Sequence, residues 1–312
     1  MTASPVRHIN AGVPAWQQLL VSFGLGKLYM STAGPWIRQH VESLLGHPHT
    51  PAYKPPLTPA FLIRDYITQG THLLAGQHLM KVLASTRGET APNLLTTSAG
   101  AAGAAASAGA GQLSLAALRR ISGTAIAMTL LTTAIDAAFA NQLGPRIETT
   151  VNHLLGTTAA PTVKTQRDGT VPQSTVRTSP EQFVRNFGHS LAGSITYAAV
   201  LGTVGREVSR AVATCIAGPA GALVGGMAGA LIGGIAVSAE DRLIGSRVAD
   251  LMQDAYRGVA QLAGFTLGPR RHGDVIPVVG DRVALAIGGA LVPYGTALAT
   301  GQRTQYLRSI GA

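Results

Sequence analysis

The chain has 312 residues, of which only 12% are charged and 5% aromatic, with 38 glycines and a formal net charge of +10. Ala, Leu, Val, Ile and Gly therefore supply the apolar content, a mix that favours thin, closely packed helices over a sheet of large β-branched residues. One cysteine rules out an intramolecular disulfide and a cysteine-based metal site.

The positive charge is scattered singly or in pairs such as Arg119-Arg120 and Arg270-Arg271. No dense basic run with interleaved aromatics occurs, which argues against nucleic acid and leaves an anionic membrane surface as the partner that fits. Residues 1–18 hold one Arg and no apolar core, and Lys27 interrupts the apolar stretch Leu19–Met30. This is not a cleaved secretory signal, so the expected way out of a cell is another route.

In chain order, residues 1–57 read as a mobile targeting or secretion region with short helices. Pro35 begins one, with Trp36, Ile37, Val41, Leu44 and Leu45 near one face, and Gly46 and Pro48 end it. Residues 47–59 are a proline-rich connector. Thr58 is a predicted N-cap with Pro59 at the first helical position, and a helical pattern runs from Phe61 to Leu83. Residues 90–118 carry no charge, and their low-complexity Ala/Gly core reads as a linker or as a weak span.

Residues 121–145 form the next predicted helix, with Gly144 and Pro145 as its stop signal. Its only charge, Asp136, shares a stripe with Thr129, Thr132 and Thr133. The helix is either an amphipathic member of a soluble bundle or a span whose polar stripe faces a partner helix or water. Residues 146–180 are a Thr/Pro-rich linker, and Ser179-Pro180-Glu181 restarts a helix with a cap, a proline and an acidic first turn. The predicted organisation is thus 1–57, a helical region 58–145 with the Ala/Gly segment, the linker 146–180, and a membrane-associating domain 181–312.

That last domain holds the strongest signals. Residues 186–205, 211–239 and 283–302 lack formal charge over 20, 29 and 20 positions. About 20 helical residues cross a bilayer core. Gly221, Gly225, Gly229 and Gly233 recur every fourth residue, which puts them on one helix face as a groove without side chains. With 186–217 as an antiparallel partner, this gives a glycine-zipper hairpin that packs on itself or self-associates. Cys215 sits within the apolar run and reads as a small buried residue. After Ser238 the spacing of Ile244, Val248, Leu251, Ala255, Val259 and Leu262 predicts an amphipathic helix, ending near Gly268-Pro269. VIPVVG at 275–280 reads as a short strand or apolar turn. The final run, with Pro293 inside it, reads as a kinked span or re-entrant hairpin.

No catalytic motif is present, so the chain is not read as an enzyme, and no cofactor is implied. His47 and His49 lack a third metal ligand nearby, and His272 with Asp274 reads as a solvated turn rather than an acid/base pair.

The segment GPAGALVGGMAGALIGG, followed by a charged amphipathic helix, resembles the glycine-zipper segments of bacterial membrane-inserting proteins, among them pore-forming toxins, surface antigens and secreted effectors. The Ser/Thr/Pro-containing start and proline-rich connector are similar to those of type III secreted effectors. The resemblance implies an all-α protein, a helical bundle with a hydrophobic hairpin that inserts into a membrane such as the host's after release without a cleaved signal. It also implies lipid, a secretion chaperone and a second copy of the chain as partners. The competing expectations are residence in the bacterial inner membrane, and a soluble helical adaptor with the glycine hairpin buried inside it.

Overall fold

The computed structural model describes residues 14–46, 57–88, 115–157, 178–216, 218–270 and 279–302. The Ala/Gly segment, most of both proline-containing connectors, the His47/His49 and His272/Asp274 pairs, and Val275–Val278 lie outside them. Among the described residues the structure is helical and holds no strand.

Seven helices follow one another. They are α1 (Ala15–Ser31), α2 (Ala33–Leu44) and α3 (Pro59–Ser85). Next comes α4, made of Leu115–Ala138, a π turn at Phe139–Leu143, and Gly144–Leu154. Helix α5 joins Pro180–Val200, a π turn at Leu201–Gly205, and Arg206–Cys215. Helix α6 joins Gly218–Glu240, a π turn at Asp241–Gly245, and Ser246–Leu262. Helix α7 spans Val279–Ala299.

The predicted starts hold at atomic level. Thr58 Oγ1 accepts the Phe61 N–H at 3.4 Å, and Ser179 Oγ accepts the Gln182 N–H at 3.1 Å, each with proline at the first helical position. Ser179→Ala leaves an N–H of the first turn without its cap, so the unfolding midpoint should fall by the equivalent of about 1 kcal/mol in a denaturant titration. Helix α6 ends earlier than the Gly268-Pro269 signal suggested. Gly264 adopts φ +83°, and the Phe265 N–H bonds to the Ala260 carbonyl at 2.9 Å, a Schellman closure.

Three expectations need correction. Gly144 and Pro145 do not stop the fourth helix. The Gly144 N–H bonds five residues back to Phe139, and this widened turn makes room for a proline that lacks an N–H and crowds the turn before it. Residues 146–154, expected to be linker, are therefore the last turns of α4. Second, the start of the chain is not all mobile. Helices α1 and α2 pack along α7, where Tyr29 donates a hydrogen bond to the Ala284 carbonyl and Glu42 accepts the Gly280 N–H at 2.5 Å. Third, Cys215 is exposed, because it falls in the last turn of α5, at the tip of the hairpin. Pro293 sits inside α7, and the helix continues through it without reversing.

Helix neighbours form a closed circuit. Helix α1 touches α3, α3 touches α4, α4 touches α5, α5 touches α6, α6 touches α7, and α7 returns to α1 and α2. Helices α3 and α4 run antiparallel, as the pairs Arg64–Glu148 and Arg87–Thr124 require, and so do the arms of α5 and α6 joined by Arg185–Asp250 and Glu181–Arg257.

Candidate functional site

Four glycines recur every fourth residue along α6. Gly221, Gly225, Gly229 and Gly233 are all buried. Their helix α6 lies between α5 and α7. A Cβ at Gly233 would stand 2.7 Å from Cε2 of Tyr197 on α5, too close for any side chain without movement. Small residues on α5 reciprocate: a Cβ at Gly188 would be 2.8 Å from Met252 Cγ, and one at Gly193 would touch Val237. At Gly233 the glycine face therefore meets this chain's own α5.

The threonine stripe divides between two neighbours. Thr129 and Thr133 are buried. Thr129 Oγ1 donates to Ser194 Oγ on α5 at 3.3 Å. Thr132 and Thr133 donate to the Met128 and Thr129 carbonyls of their own helix, at 3.0 and 2.7 Å, so each stripe hydroxyl already has an acceptor. Asp136 turns the other way, to His72 Nε2 of α3 at 3.1 Å, with its side chain about half exposed.

Several ionisable groups inside the bundle escaped the sequence reading. Arg64 is 3% exposed and pairs with Glu148, and Arg185 is 3% exposed and pairs with Asp250 at 3.2 Å. His189 Nε2 lies 3.2 Å from Asp241, which is fully buried. The neighbouring Glu240 is also buried, and both carboxylates converge on Gly245, where a Cβ would stand 3.1 Å from Glu240 and 3.3 Å from Asp241. Arg257 pairs with Glu181 at 2.6 Å, and Gln253 donates to the same carboxylate oxygen at 2.5 Å.

A sequence signal for this layer existed. A Thr-Pro or Ser-Pro helix start is followed by an arginine six residues after the capping residue, then by His-x-Leu-Ala-Gly. The pattern occurs at Thr58, Arg64 and His72–Gly76, and again at Ser179, Arg185 and His189–Gly193. In both copies the arginine meets a carboxylate just past the π turn of the returning helix, and the histidine meets an aspartate. Comparing the chain with itself would have found it.

The distribution of polarity is the most informative property of the site. A water-soluble bundle buries its large aliphatic side chains and exposes its charges. Here the largest fully buried side chains are Gln253, Thr124, Thr296 and Asp241, and nine of the seventeen buried apolar residues are alanines. Large apolar side chains point outward in stripes at helical spacing. They are Trp16, Leu20 and Leu28 on α1; Ile63, Ile67, Leu74 and Val82 on α3; Ile126 and Leu130 on α4; and Val224, Ile235, Leu251 and Val259 on α6. Among the described residues one helix, Gly123–Leu154, is long and apolar enough to cross a membrane by length and composition, with 39% of its most apolar window buried. Among the described residues no group of three or more His, Cys, Asp or Glu is arranged to hold a metal.

No family model, no curated protein and no solved structure matches the chain. Among the described residues the geometry is that of a helical bundle with several ion pairs in its interior and many large apolar side chains exposed.

Proposed function

We propose that this protein is a membrane-embedded helical protein that inserts its α5–α6 glycine-zipper hairpin, together with α3 and α4, into a bilayer. The observation that carries this reading is the inverted polarity. Exposed stripes of Ile, Leu, Val and Trp are costly against water and favourable against acyl chains. Ionisable groups within a bilayer need partners in the bundle, and Arg185 has Asp250 while His189 lies beside the buried Asp241. The glycine ladder fits the same picture, because helices in lipid associate through close backbone approach rather than hydrophobic burial. With Gly233 set against Tyr197 of α5, the zipper serves packing within one chain, and self-association would use an outward stripe.

The biological setting is that of the resemblance: a bacterial effector or toxin-like protein, escorted by a chaperone and delivered to a membrane such as the host's. The net charge of +10 favours an anionic surface for the first encounter.

The test is insertion into liposomes containing anionic lipid, followed by a carbonate wash and flotation. The protein should float with the vesicles after the wash. Complete release into the supernatant would defeat the reading and favour a soluble adaptor, which should also run as a monodisperse particle without detergent.

A further inference from the structure

We infer that α1 and α2 form a graded lipid-contacting edge of the bundle, with Trp16 in the hydrocarbon and Trp36 at headgroup level. This rests on the membrane reading above and adds a depth to it. The chain has two tryptophans, and both are 60% exposed. Trp16 opens an outward stripe on α1 that continues through Leu20, Gly24 and Leu28. On the opposite side of the same helix Leu19 and Tyr29 are buried. The stripe is continuous in character with the outward faces of α3 and α4, so the occupant that covers those faces, lipid acyl chains, covers this one too.

The register of α1 against α3 gives the depths. Leu19 packs where a Gly70 Cβ would stand, at 2.8 Å, and Phe23 meets Tyr66 edge-on at 5.4 Å. Lys27 pairs with Asp65 and lies 5.4 Å from the Phe61 ring centre. Helix α1 therefore descends α3 antiparallel, from mid-helix toward its N-terminus. Lys27, Asp65, Arg64 and Glu148 make an ionic rim at that end, and Arg87 marks the other end where it bonds Thr124. From Arg64 to Ser85, its last residue, α3 rises about 32 Å, close to a bilayer core. Trp16, one turn beyond Leu19, falls within about a turn of the midpoint of that rise.

Trp36 lies on the far side of the ionic rim. Helix α1 runs antiparallel to α7, with Leu25 against Gly295 and Tyr29 against Gly288. Helix α2 continues the same descent, since Arg38 and Glu42 meet Gly280. Tyr29 at Gly288 and Arg38 at Gly280 are about 12 Å apart along α7, which puts Trp36 about 9 Å past Tyr29, on the far side of Lys27 and outside the apolar band. Its ring stacks on His40 at 4.1 Å between centroids, a half-polar setting that suits an indole at a membrane surface.

Because the chain has no other tryptophan, intrinsic fluorescence reads this edge without labels. Full-length Trp36→Phe and Trp16→Phe chains would be reconstituted into phosphatidylcholine/phosphatidylglycerol vesicles. The lipids would be brominated near the glycerol, at mid-chain or near the terminal methyl, with iodide added outside in a parallel series. The Trp36→Phe chain, reporting Trp16, should lose most of its emission to mid-chain and deeper bromines and little to iodide. The Trp16→Phe chain, reporting Trp36, should be quenched by shallow bromines and by iodide. Equal depths, or the reverse order, would overturn the inference. If both chains float with the vesicles but no brominated lipid quenches either, this edge faces away from lipid and the inference falls while the membrane reading stands. Failure to float would take both down together.

Discussion

Replacing Gly233 by alanine should destabilise the protein by about 1–3 kcal/mol, whereas the same change at Gly258 should leave it unchanged or stabilise it by up to about 1 kcal/mol. Both glycines are in α6. At Gly233 the new methyl would stand 2.7 and 3.0 Å from two carbons of the Tyr197 ring, so α5 and α6 must separate or the ring must move. At Gly258 nothing lies within 4 Å of the added methyl, and the residue is exposed. There the only effect is helix propensity, which favours alanine. Gly233→Leu enlarges the first effect, because four heavy atoms must find room against a tyrosine. The measurement is the shift in unfolding midpoint of the three variants in one detergent. Equal shifts at positions 233 and 258 would mean that close approach at the glycine face contributes nothing.

The buried ion pairs should respond asymmetrically to removal of one partner. Arg64 is almost fully enclosed, its guanidinium lying 4.8 Å from the Phe61 ring centre, whereas about a third of the Glu148 side chain reaches solvent. Glu148→Gln leaves an enclosed cation without its carboxylate and should cost about 3 kcal/mol. Arg64→Met leaves a carboxylate that can hydrate, with an apolar side chain of similar length in the cavity, so its cost should be clearly smaller. The double variant should recover most of the loss seen in Glu148→Gln. A double-mutant cycle of unfolding free energies decides the matter. Additive single effects would mean the two groups are neighbours without an energetic coupling.

Much of the chain's local structure is readable from residue types alone. Thr58-Pro59 and Ser179-Pro180 specify helix starts because a side-chain oxygen caps an N–H and proline fixes the first φ. The four-residue glycine ladder specifies a helix with one bare face, because helical period and glycine size are local properties. The stops were less legible. Gly144-Pro145 has the composition of a terminus, yet a π turn absorbs it, since the cost of a wider turn is offset where Arg64 draws in the Glu148 turn beyond. Cys215 was misjudged for a related reason: an apolar run says that a helix is covered somewhere, and not where its cover ends.

The sequence by itself determined the helices, their approximate starts, the uncharged lengths and the bare glycine face, all of which depend on residues within a turn or two of one another. Only the tertiary structure decided what Gly233 meets, Tyr197 of the chain's own α5, because that depends on contacts across the fold. It alone decided which polar groups pair inside, Arg64 with Glu148 and His189 with Asp241, across separations that no local pattern encodes. The outward turning of Trp16, Ile67 and Leu130 was likewise set there, since an amphipathic period fixes that two faces differ and leaves to packing which of them is buried.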